Sequence, residues 1–250
     1  MNRMWSLCRF VTLNLLVILL LSQCSGSTTP NPVTSNASQQ PGISKQTQTA
    51  AGSLTIKAEV WADNWFAFYL GKQLIQEDSV PITTERSFNA EVFSFEAAYP
   101  LTLNFIVKDF KENDTGLEYI GTNRQQMGDG GFIAQFTNAA TGELLAATNA
   151  DWTCLVTHKA PLDAACAESA NPVAGQPPCD FQIVAEPLDW QAATFDSSAW
   201  PHATVYSEAQ VSPKDGYDDI SWNGAAQLIW SDDLKADNTL LCRFTVPAPQ

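Results

Sequence analysis

Three tryptophans and a set of acidic loops are the side chains of this 250-residue chain best equipped for chemistry. Trp65, Trp190 and Trp222 stand beside polar or turn residues, where an exposed indole face would stack on the apolar C–H face of a sugar ring. Asp63 and Asn64, immediately before Trp65, supply the carboxylate and amide that hydrogen-bond sugar hydroxyls. The competing use of each indole is packing, because aromatic side chains carry much of a protein core. Trp200 and Trp230 are read as core residues outright. Asp215, Asp218 and Asp219 form one acidic cluster, Asp232, Asp233 and Asp237 another, and Asn113-Asp114 has the same character. Calcium takes about six to eight oxygen ligands, so Asp215, Asp218 and Asp219 are the candidate set for a structural calcium. None of these runs has EF-hand spacing, and solvated acidic loops are the plainer explanation. No cofactor is required by any motif.

Signals for catalysis are thin. The chain holds two histidines, His158 and His202, and lacks a Gly-x-Ser-x-Gly elbow, a His-Glu-x-x-His helix and a glycine-rich phosphate loop. A carboxylate pair would suffice for glycoside hydrolysis. With 27 acids, however, some close pair arises by chance and none can be singled out. The expectation is a protein that is not an enzyme.

Charge and cysteines narrow the setting. The formal net charge is −14 and becomes −16 once Arg3 and Arg9 of the leader are set aside. Such a surface repels nucleic acid and anionic headgroups, so neither is an expected partner. Residues 1–24 carry those two arginines, no acid and an apolar run from Leu15 to Leu21, which reads as an export signal. Leu21-Ser22-Gln23-Cys24 resembles a bacterial lipobox, with Gln23 where a small residue is usual. Cys24 is thus a lipidation candidate, alongside ordinary cleavage between Ser22 and Gly26. Contact with a membrane would then run only through that lipid or the signal. Residues 25–52, with five Ser, five Thr and four Gln, cannot bury enough surface to offset ordering entropy and read as a disordered linker. The sequons Asn36-Ala37-Ser38 and Asn113-Asp114-Thr115 matter only on a eukaryotic secretory route.

Beyond the leader remain Cys154, Cys166, Cys179 and Cys242, an even set that argues for two disulfides in an exported chain. Of three pairings, Cys166–Cys179 is favoured because Pro172, Gly175, Pro177 and Pro178 make the segment between them a natural closed loop. That leaves Cys154–Cys242 to tie the last strand to the body.

The elements that must position these groups are strands. Leu54, Ile56, Ala58 and Val60 alternate with Thr55, Lys57, Glu59 and Trp61, and Phe66, Phe68 and Leu70 continue the pattern. Leu101, Leu103, Phe105 and Val107 repeat it, as do Leu240, Cys242, Phe244 and Val246. A period of two marks half-buried strands, and no window shows an amphipathic helix beyond a turn or two at 160–168. The reading is one all-β antiparallel sandwich over residues 53–250.

Five motifs resemble the galactose-binding-like jelly-roll family, a β-sandwich common in secreted carbohydrate-binding proteins. The run from Ala62 to Gly71 is similar to its aromatic strand and hairpin, with Leu70-Gly71 in place of the usual Asn-Gly. Phe195-Asp196-Ser197-Ser198 with Trp200 and Ala203 is similar to its corner, in which Asp and Ser cap local backbone and the Trp plugs the sandwich. Ala226–Ser231 with Asn238–Val246 is similar to its closing strands. The turn from Met127 to Phe132 and the pair Asp151-Trp152 also resemble secreted members. The resemblance implies a jelly roll that binds carbohydrate or a cell-surface glycan without changing it. A structural or adhesion module with a protein partner is the alternative, and a glycoside-acting enzyme the second alternative.

Overall fold

The computed structural model describes residues 52–249, so the leader, Cys24 and nearly all of the linker lie outside the described residues. The strands are β1 (Leu54–Asp63), β2 (Trp65–Leu70), β3 (Gln73–Glu77), β4 (Asn89–Ala97), β5 (Leu101–Lys108), β6 (Leu117–Glu118) and β7 (Gln126–Met127). They continue as β8 (Gly131–Asn138), β9 (Leu144–Ala147), β10 (Thr153–Lys159), β11 (Gln182–Ile183), β12 (Thr204–Tyr206), β13 (Leu228–Trp230) and β14 (Asp237–Val246). One sheet runs β12-β13-β8-β1-β4, with β9 also on β8; the second runs β11-β10-β14-β5-β2-β3; β6 and β7 make a small hairpin. All described pairings are antiparallel. Among the described residues no helix is long and apolar enough to cross a membrane.

The alternating runs become the core. Ile56, Ala58 and Val60 of β1, with Phe132 and Phe136 of β8, face Phe66 and Phe68 of β2, with Leu103, Phe105 and Leu240, in one buried cluster shared by both sheets. Phe68 and Phe105 stack with centroids 4.8 Å apart at its centre. Trp230 and Trp152 are fully buried there, as a residue of that size must be to justify its place in a core. The β2–β3 hairpin turns at Gly71, whose φ of 55° is cheap only for glycine, so the departure from Asn-Gly costs the turn nothing.

Two disulfides form, Cys154–Cys242 and Cys166–Cys179, as the favoured pairing expected. The first joins directly opposed residues of β10 and β14. Two such bridges accord with an extracytoplasmic location.

Trp200 is buried, as expected of a core residue, but in a second cluster. It packs with Trp190, Phe195 and Leu241 in a separate buried cluster outside the inter-sheet core. Leu241 and Ile106 point away from the core by strand alternation, so Trp200 covers the outer face of the second sheet rather than plugging the sandwich. Its corner otherwise forms as expected, with the Ser198 amide donating to Asp196 Oδ1 at 2.9 Å.

Candidate functional site

Three strand ends meet at one end of the sandwich, and each delivers an aspartate. Asp63 closes β1, Asp109 follows β5, and Asp129 precedes β8. Antiparallel pairing sets Asp63 opposite Gly131, so the end of β1 and the start of β8 coincide. Asn64 links the sheets by its amide, which donates to Lys108 O at 2.6 Å, and so brings the end of β5 alongside. The Asp63–Asn64 peptide bond is cis. One carboxylate oxygen from each of Asp63, Asp109 and Asp129 lies within 4.8 Å of the other two.

Glycines make this convergence possible. A Cβ on Gly128 would sit 1.7 Å from Asp109 Oδ2, so any other residue there would drive the carboxylate away. A Cβ on Gly130 would fall 2.5 Å from the Trp230 ring. The Gly128-Asp129-Gly130-Gly131 run therefore holds Asp129 against Asp109 while the chain lies flat on the core.

The electrostatics are unbalanced. Asp63 and Asp109 are 0 % and 3 % exposed, and none of their four carboxylate oxygens accepts a hydrogen bond from the described residues. The amide of Phe110, next to Asp109 in the chain, donates to Asn64 Oδ1 at 2.6 Å. Glu118 is also buried, receiving one hydrogen bond from Gln126 at 2.9 Å. Lys214 is the cation here, with Nζ 2.7 Å from Asp129 Oδ2 and 3.6 Å from Asp63 Oδ2, the latter longer than a hydrogen bond. Burial, then the charge of Asp129, pushes the Asp63 carboxyl well up against the opposing pull of Lys214. Burial and the charge of Asp63 do the same to Asp109. Burial pushes Glu118 up to about 7. Against burial, Asp63 and Asp129 hold the Lys214 ammonium above the usual lysine range. A small cavity of about 70 Å³ reaches Asp129 and Glu118, with Arg86 and Lys214 also in its wall.

No protein-family model, curated protein or solved structure matches this chain. Its function must therefore be argued from its own residues.

The residues singled out by sequence scatter. Asp63 enters the cluster, but as a buried carboxylate rather than one facing sugar hydroxyls. Asn64 is spent on structure: its Nδ2 donates to Glu85 O at 3.2 Å and its Oδ1 accepts from Phe110. Trp190 is 2 % exposed, wedged between Tyr69 and Trp200, so it offers no stacking platform. Trp65 is half-buried with the Lys108 ammonium 4.6 Å over its ring. Trp222 is half-buried, packs on Tyr217 with centroids 5.7 Å apart and donates to Tyr217 O. Asp215, Asp218 and Asp219 are all exposed, the Asp215 side chain by 81 %, and do not converge. A short 3-10 turn at Tyr217–Asp219 fans them into solvent, which is why adjacency in sequence fails to make a ligand set. Asp233 and Asp237 are paired with Lys159 at 3.3 and 2.9 Å. His158 contacts Asp114 at 3.1 Å and stacks on Phe181.

Proposed function

We propose that residues 53–250 form an extracytoplasmic, non-catalytic carbohydrate-binding module of the galactose-binding-like jelly-roll type, exported by residues 1–24 and tethered through lipid on Cys24. The observation that carries this reading is an open cleft of about 450 Å³ between residues 121–125 and 167–170. Thr122, Asn123, Gln125, Glu168 and Ser169 line it, a set of hydroxyl, amide and carboxylate groups that suits the hydroxyls of a sugar. Its size lies within the range of roughly 300–1,000 Å³ usual for small-ligand sites. The cleft is also braced. Gln125 Nε2 donates to Ala167 O and Ser169 O, both at 2.8 Å, and Cys166–Cys179 packs on Leu117 behind it. A preformed polar wall loses little entropy when a ligand settles.

The test is a glycan-array screen of the purified, disulfide-bonded chain beside its Asn123→Ala and Glu168→Ala variants. A specific glycan lost in both variants supports the cleft. A glycan retained in both moves binding elsewhere, and no glycan at all from folded protein defeats the reading. A protein partner is the second reading, favoured by exposed Leu162, Ile183 and Leu188 near the short edge strand β11.

A further inference from the structure

We propose that Asp63, Asp109 and Asp129 are ligands of a calcium site built into the end of the sandwich where β1, β5 and β8 meet. The argument does not depend on the carbohydrate reading. It begins with hydrogen bonding. Buried carboxylates accept hydrogen bonds almost without exception, and one left bare costs far more than any packing gain nearby. Here two neighbouring carboxylates are buried together, and all four oxygens lack a donor among the described residues. Asp109 has no ion pair among the described residues either. Lys214 brings one positive charge to Asp63, Asp109, Asp129 and Glu118, and spends its hydrogen bond on the outermost of them.

Coordination chemistry selects the ion. Calcium takes several protein oxygens in a flexible geometry, whereas magnesium demands a near-ideal octahedron, keeps several waters and is usually held by one or two carboxylates. Three aspartates converge here, two of them buried, a set that suits calcium. All the candidate donors are oxygens, and all four cysteines of the described residues are in disulfides, so softer transition metals find no preferred ligand. Gly128 keeps the Oδ2 side of Asp109 clear of any side chain. Asp129, its side chain 38 % exposed, is the one aspartate of the three that lines the 70 Å³ cavity, which it shares with Glu118, Arg86 and Lys214. In this arrangement Lys214 is a built-in competitor: calcium displaces its ammonium from Asp129.

The test uses the purified, disulfide-bonded chain, stripped with chelator and titrated with calcium or magnesium in the absence of any sugar. Calorimetry should give one calcium site per chain. At a hundredfold excess over Kd the Tm should rise by about 5–10 °C for a domain of this size. Asp63→Asn and Asp109→Asn should fold and lose the calcium response. Asp129→Asn should weaken binding at least tenfold, and it serves even if the buried variants fail to fold, because its side chain reaches solvent. Lys214→Gln should tighten binding several-fold. No heat and no Tm shift in the parent chain at millimolar calcium overturns the proposal. So does an unchanged Kd in Asp129→Asn, or a response to magnesium without one to calcium.

Discussion

Two charged groups are buried along β5, one against its middle and one just past its end, and the protein treats them differently. Arg243, 4 % exposed, faces β5 at Asn104 and donates to Asn104 Oδ1, Trp190 O and Ala192 O at 3.2, 2.6 and 2.7 Å. No carboxylate is needed, because backbone and amide dipoles answer the charge. Asp109, just beyond the end of β5, has no such provision, and Asp63 beside it has only the Lys214 ammonium at 3.6 Å. A charge buried for architecture arrives with its partners. On the calcium proposal, one buried without them is completed by a cation from outside the chain. The contrast separates a structural ion from a binding one by counting donors rather than charges.

The largest effect expected from testing this contrast is at the arginine. Arg243→Ala strands Asn104 and two carbonyls, and should cost about 3–5 kcal/mol in urea denaturation whether or not calcium is present. A loss below about 1 kcal/mol would erase the distinction between the two sites. Next comes Gly128→Ala, where the new methyl meets Asp109 Oδ2. It should destabilise by about 1–3 kcal/mol and weaken the calcium response together, measured by Tm with and without calcium. Asp109→Asn should do the reverse in chelator: with the cost of a bare buried charge gone, the cation-free protein should be as stable as the parent or more so.

Another buried acid sharpens the comparison through pH. Asp78 is 6 % exposed, its Oδ1 accepts from the Val80 amide at 2.9 Å, and its Oδ2 has no partner. Burial, with a further push from Glu91, raises its carboxyl to about 6. The folded state then binds more protons than the unfolded state, whose aspartates titrate near about 3.9. Stability is therefore highest below that value, falls as pH rises towards about 6 and levels off above. Asp78→Asn should flatten that part of the slope in a Tm series from pH 4 to 7. The smallest effect is expected at the exposed acids. Asp218→Asn and Asp219→Asn should each change stability by less than about 0.5 kcal/mol and leave the calcium shift untouched.

Much of the scaffold was legible because it rests on local pattern. Ile56, Ala58 and Val60, or Leu103, Phe105 and Val107, announce a buried face by alternation alone, and the sandwich follows. The proline- and glycine-rich loop between Cys166 and Cys179 announced its own closure. The acid cluster was not legible. Asp63, Asp109 and Asp129 are tens of residues apart, and only strand pairing and the Asn64–Lys108 contact between sheets bring them together. Sequence favours acids that are neighbours in the chain, and Asp215, Asp218 and Asp219 were chosen on that basis. A faint signal exists: Asp63 and Asp109 each sit where an alternating run stops, and Asp129 is set among glycines. Trp190 misled for a related reason. Its polar neighbours suggested exposure, but burial was decided by Trp200 and Tyr69, which no local pattern links to it.

The Cys154–Cys242 bridge spans 88 residues and joins adjacent strands. Everything between them belongs to one closed covalent ring, including the smaller ring of Cys166–Cys179, the indole cap of Trp190 and Trp200, and β12 and β13 of the first sheet. A protease cut at an exposed point such as Leu188 opens the ring without dividing the molecule. The nicked chain should run as one band until it is reduced and as two afterwards, so a protein worn by extracellular proteases would keep its sheets, and Arg243 its partners, long after its backbone is no longer continuous.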